Sequence, residues 1–212
     1  MELRLKLNEL SNVPFSKHLI LELLKDFKSP KDKISELIKK GEIFSLRRGL
    51  YAVNPIYSAN ALHPFLIANH LRGPSYVSLE SALNYWGFIP ERVVETSSVT
   101  TKLSKTYKNH FGRFSYQKLP TPYFSYGIKS LEIDNKQTVL IASPEKAICD
   151  KVVLTSGVNL RSRKQVKAFL LQDLRVDVEM LQTLNTDLIS TWLENAPKNA
   201  SLEMLIKTLR EL

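Results

Sequence analysis

Between Ile34 and Val53 the chain carries an apolar stripe, a glycine and two short apolar runs, in an order that leaves few ways to fold. Ile34, Leu37 and Ile38 recur at i, i+3 and i+4, the spacing of an amphipathic helix, and Gly41 supplies the left-handed residue that ends it. Ile43 to Leu46 and Leu50 to Val53 then flank Arg47-Arg48-Gly49, which predicts a β-hairpin with two cations and a flexible residue at its tip. Helix followed by basic-tipped hairpin is the pattern of a winged helix. Such a unit lays its helix in a DNA groove, here with Lys31, Lys33, Lys39 and Lys40 along it, while Arg47 and Arg48 reach neighbouring phosphates. Solvated helix faces and polar hairpin tips also occur without DNA, and for reading bases this helix offers only Ser35 and Glu36 besides lysine, a flexible point charge.

The charge balance points the same way. Lys and Arg outnumber Asp and Glu by 30 to 21, for a net charge of +9, which favours an anionic partner such as nucleic acid. The excess is densest at the front, with 11 cations against 7 acids in residues 1–53. Met1 to Leu10 alternates charged and apolar residues without the apolar core of a signal peptide, and no run approaches the length of a membrane span. The expectation is a cytoplasmic protein with no membrane partner. Cys149 is the only cysteine, so no disulfide within the chain and no thiolate metal cluster can form.

Around this stretch the other signals divide the chain in two. Glu2 to Leu10 fits a strand or a helix face equally. Ser16 caps a helix with the stripe Leu19, Ile20, Leu23, Leu24 and Phe27, and Ser29-Pro30 starts the next. Asn54-Pro55 marks a boundary, giving a winged-helix domain over residues 1–54 and a second domain over 55–212. The second begins with a helix from about Asn60 to Leu71, then one capped by Ser78 with Leu79, Leu83 and Trp86 on one face. Strands are predicted at Val93 to Thr101, Phe111 to Lys118, Tyr123 to Tyr126, Ile128 to Ile133 and Gln137 to Ala142, the last two joined at Asp134-Asn135. Turns rather than helices between them imply an antiparallel sheet. From Ser143-Pro144 onward the pattern is helical, with caps at Ser143, Ser162, Asp177, Thr186 and Ser201. The fold class is α+β: a winged helix-turn-helix, then a larger domain with an antiparallel sheet and a helical C-terminal part.

No catalytic constellation is complete. Ser143-x-x-Lys146 has the spacing of serine acylases of the penicillin-binding type, but their Ser-Asp-Asn and Lys-Thr-Gly elements are missing and capping explains the serine. His18, His63, His70 and His110 are scattered, and His63 with His70 falls short of the ligands zinc needs. Without a phosphate loop or dinucleotide fingerprint, neither enzyme activity, cofactor nor metal is expected. Two one-signed groups remain: Lys102, Lys105 and Lys108, and Arg161, Arg163 and Lys164 with Lys167. Either suits phosphates or an acidic protein surface, and a solvated loop and a helix start account for them equally well.

Gly41 to Tyr51, then Ser75-Tyr-Val-Ser-Leu-Glu-Ser-Ala-Leu-Asn-Tyr-Trp-Gly-Phe-Ile-Pro90, Ser98-Val-Thr-Thr-Lys102, Phe111-Gly-Arg-Phe-Ser-Tyr116 and Ser143-Pro-Glu-Lys-Ala-Ile-Cys-Asp150 follow one another in an order that resembles the AbiEi antitoxins of type IV toxin-antitoxin systems. The resemblance covers about residues 15–150. It implies an N-terminal winged helix that represses its own operon, and a C-terminal domain that opposes a nucleotidyltransferase-like toxin, by contact or indirectly. Carried onto this chain, it puts operator contact on Lys31, Lys33, Lys39, Lys40, Arg47 and Arg48, and implies no catalytic residue. Lys102, Lys105, Lys108, Arg161, Arg163 and Lys164 are then the expected toxin-directed or nucleic-acid surface. The rival expectation is a protein-interaction module whose degenerate winged helix binds no DNA.

Overall fold

The computed structural model describes residues 2–57, 61–91, 93–133 and 137–212. Its front runs α1 (Glu2–Glu9), β1 (Phe15–Ser16), α2 (Lys17–Leu23), α3 (Pro30–Lys39), β2 (Ile43–Arg47) and β3 (Leu50–Val53). The ambiguous first segment is therefore helical. Leu7 decides it, being buried in a small core with Phe15, Ile20, Leu24, Ile34, Leu37, Ile43, Tyr51 and Val53. Ser16 caps α2 as expected, its hydroxyl accepting from Leu19 N at 3.3 Å. Of the stripe assigned to that helix, Leu19 and Phe27 are exposed and Ile20 and Leu24 carry the burial. Gly41, at φ 67°, turns the chain from α3 into β2. The three strands pair antiparallel in the order β1-β3-β2.

All four residues of β3 are buried, because each face of the strand meets a different core. Tyr51 and Val53 point into the small core, whereas Leu50 and Ala52, with Leu46 from β2, belong to the large core of the second unit. A chain boundary at Asn54-Pro55 does coincide with the end of β3. The packing does not stop there.

The second unit is built on a six-stranded sheet: β4 (Ser75–Val77), β5 (Glu95–Thr100), β6 (Lys105–Asn109), β7 (Gly112–Lys118), β8 (Ile128–Ile133) and β9 (Gln137–Ala142), in the order β6-β7-β5-β4-β9-β8. The antiparallel sheet expected from the sequence is mixed, since β5 with β7 and β4 with β9 run parallel. Turn lengths explain the difference. They carry no sign of a strand at Lys105–Asn109; that strand, β6, pairs antiparallel on the outer side of β7 and leaves β7 to run parallel beside β5. Neither β4 nor β6 was foreseen, and Tyr123–Ser125 forms a 3₁₀ turn where a strand was expected.

Helix α4 (Pro64–Leu71) covers one face of the sheet, with Tyr116 Oη of β7 donating to Ala68 O at 2.6 Å. On the other face pack α5 (Leu79–Tyr85) and α6 (Pro144–Leu154). His63 caps α4; the start expected near Asn60 and the turn at Asp134-Asn135 lie outside the described residues. The chain ends in α7 (Arg163–Lys167), a π-helical turn (Ala168–Asp173), α8 (Val178–Gln182), α9 (Thr186–Ser190) and α10 (Asn199–Leu209). Ser162 and Asp177 cap as expected, but Asn185 rather than Thr186 caps α9. Ser201 lies inside α10 and accepts from Leu160 N. Lys198 precedes α10 and sends Nζ to the carbonyls of Val152, Thr155 and Val158 at 2.8–3.0 Å, satisfying acceptors where α6 ends.

Candidate nucleic-acid interface

The six front cations divide into three kinds. Lys33 and Lys40 both turn to Glu36, at 2.9 and 2.6 Å, and Lys33 also lies over the Phe27 ring. Hydrogen bonds from Lys40 and then Lys33 hold the Glu36 carboxyl down at about 2, so it stays charged and offsets part of their charge. The side chains of Lys31 and Lys39 are exposed, with no hydrogen bond or ion pair among the described residues. Being eight residues apart, they stand about 12 Å apart along the helix axis. Ser35 lies between them on the same exposed face, and its hydroxyl donates back to Lys31 O.

At the hairpin tip the two arginines part company. Arg47 Nε donates to Leu71 O at 2.9 Å, on the last residue of α4, and Nη1 donates to Arg48 O. It thus serves a helix C-terminus, where a cation and a donor are both favourable, and its role is different from the free phosphate contact the sequence suggested. Arg48 is exposed and its guanidinium has no partner among the described residues. Lys17, which sequence reasoning did not single out, belongs beside it: its backbone N–H donates to Gly49 O at 3.0 Å, and its side chain is exposed. The missed signal was the two-residue strand β1, too short for a period-2 pattern to show.

The basic groups of the second unit do not form one cluster. Lys105 and Lys108 sit on the edge strand β6, not in a loop, and face opposite sides of the sheet: Lys105 pairs across with Tyr116, Lys108 with Arg113. Lys105 lies over the Tyr107 ring, and Lys102 Nζ is held by Gly73 O at 2.6 Å. Arg113 pairs with Glu95. Arg163 and Lys164 open α7, with Arg161 just before its Ser162 cap; α7 packs on α10, and Arg163 pairs with Glu211. Lysines on an edge strand also discourage pairing with other chains.

A buried polar network sits where the sequence showed only caps. Lys146 and Asp150, one turn apart on α6, form an ion pair at 2.7 Å with both side chains fully buried. Tyr76 and Ser78 donate to Asp150 Oδ2 at 2.9 and 2.8 Å, and Lys146 Nζ donates to Tyr123 O. Ser78 therefore spends its hydroxyl on Asp150 instead of capping α5, and Leu79 after it takes a left-handed φ of 55°. A leucine there is strained by about 1–3 kcal/mol, held by its burial and by Ser97 bonding both Ser78 O and Ser81. Burial pushes Asp150 up and Lys146 down, and each partner opposes the other's shift. Fully buried, the network pins α6 to β4. Ser143 caps α6 through Lys146 N, as expected. The histidines have separate tasks: His63 caps α4 and His110 stacks on Phe44.

No protein-family model matches the chain, and no curated protein matches it. Among the described residues no helix is long and apolar enough to cross a membrane.

Proposed function

We propose that the chain is a DNA-binding autorepressor and antitoxin of a type IV toxin-antitoxin system, acting in the cytoplasm without cofactor or metal and not as an enzyme. The observation that carries the DNA-binding half is the front unit. Its order α1-β1-α2-α3-β2-β3 and sheet order β1-β3-β2 suit a winged helix, with unpaired cations on α3 and at the hairpin tip. Lys31 and Lys39 take phosphates along the groove and Arg48 takes a third beside it. With neither Arg, Asn nor Gln on α3, base recognition falls to Ser35 and to the shape of the DNA. The antitoxin half rests on the ordered motifs that resemble AbiEi antitoxins. It assigns the toxin-directed surface to the second unit, with Lys105 and Lys108 on the sheet edge and Arg161 and Lys164 at α7 as its exposed cations.

A mobility shift with the DNA upstream of the protein's own reading frame tests the first half, and co-expression with a nucleotidyltransferase-like neighbour the second. Charge reversal, Lys105→Glu with Lys108→Glu, is expected to leave the shift intact and reduce protection at equal abundance. Equal protection would return that edge to a solvated one. One set of observations favours the rival interaction module that binds no DNA: Arg47 is committed to α4, and Glu36 offsets Lys33 and Lys40. A wild-type chain that shifts no duplex at low salt selects that reading.

A further inference from the structure

The turn between β6 and β7 lies in the second unit, yet it is shaped to hold the hairpin of the first. Asn109 uses both ends of its amide: Oδ1 accepts from Phe111 N at 2.9 Å, closing the turn, and Nδ2 donates to Leu46 O at 3.2 Å, gripping β2. The next residue, His110, lays its ring on Phe44 of β2, with centroids 3.8 Å apart and planes inclined by 20°. Phe111 meets the same Phe44 ring edge-on at 5.9 Å. Arg47 holds the far end of β2 to α4. Leu46, Leu50 and Ala52 fill the space between in the large core.

A solvent-facing wing would need none of this. Hairpin turns favour small polar residues, and here two rings and an amide converge on a neighbouring strand. We infer that Asn109, His110 and Phe111 are positioning residues for the DNA-contacting hairpin, so that the second unit sets the angle at which Arg48 meets the duplex. The consequence for DNA rests on the DNA-binding reading above; the grip on the hairpin does not.

The test uses the full chain carrying His110→Ala, with His110→Phe restoring the ring and Arg48→Ala marking the loss of the tip cation. Amide hydrogen exchange without DNA is read over Phe44 to Arg47, beside affinity for the upstream duplex across a salt series. Losing one stacked pair is expected to speed exchange on β2 about two- to tenfold while α6 keeps its protection. DNA affinity should fall in step, with a salt slope shallower by up to about 0.9, as in Arg48→Ala. His110→Phe should recover both. Unchanged exchange on β2 in His110→Ala overturns the grip. Faster exchange with wild-type affinity and slope overturns the link to DNA. A wild-type chain that binds no duplex removes the DNA-binding reading and that link with it, while the exchange arm still decides the grip.

Discussion

At the scale of single residues, Arg47 and Arg48 are neighbours with different tasks, and separate substitutions distinguish them. Arg48→Ala should leave stability unchanged and lower the slope of log affinity against log salt by about 0.9, one phosphate contact. Arg47→Ala should instead cost about 1 kcal/mol in urea unfolding, the worth of a helix-terminal hydrogen bond with charge. Equal stabilities would mean that the bond to Leu71 contributes nothing. Glu36 supplies a test of opposite sign. Glu36→Gln removes the negative charge that offsets Lys33 and Lys40, so DNA affinity and salt slope should both rise; a fall would mean that the carboxylate positions the lysines for the duplex. Its pairing lowers the carboxyl from 4.5 to about 2, so the pairing holds at neutral pH and is lost as pH falls through about 2. Caps at Ser16 and Ser143 were legible because a cap needs only local spacing. Ser78 has the same local pattern, but its hydroxyl is claimed by Asp150, seventy-two positions away, which no window can show.

At the scale of elements, the helix α3, Gly41 and the β2-β3 hairpin were legible because periodicity and turn chemistry agree there. What the sequence hid is the second face of the hairpin. Leu46, Leu50 and Ala52 alternate correctly for a strand whether that face meets solvent or another core. On α6, Lys146 and Asp150 carry the ordinary i, i+4 spacing of a solvated pair, yet both are buried, and this makes the pair sensitive to losing one partner. Lys146→Met should destabilise by about 3–5 kcal/mol, because Asp150 is left as a buried charge without its cation. Adding Asp150→Asn should recover most of that loss, since the amide oxygen still accepts from Tyr76 and Ser78. If the double variant is no more stable than the single one in denaturant unfolding, the charge is not what makes the network costly to break.

At the scale of the whole molecule, the chain holds two cores that share one hairpin. The fragment 55–212 loses Leu46 and Leu50 from its core, each worth about 2 kcal/mol on burial. It should therefore be less stable, by roughly 4 kcal/mol, than a fragment starting at Gly41 that keeps the hairpin. Equal unfolding midpoints would show that the units are separable at Asn54 after all. The α+β fold class could be read from the sequence. The parallel pairings and the shared hairpin could not, because they depend on which distant strands become neighbours. The central claim is that the front unit binds DNA through Lys31, Lys39 and Arg48, and its most direct measurement is affinity for the upstream duplex as a function of salt. The triple variant Lys31→Ala, Lys39→Ala, Arg48→Ala should keep its unfolding midpoint while its slope becomes shallower by about 2.7, three phosphate contacts. A wild-type slope in the triple variant, or binding by the wild type that does not depend on salt, would contradict it.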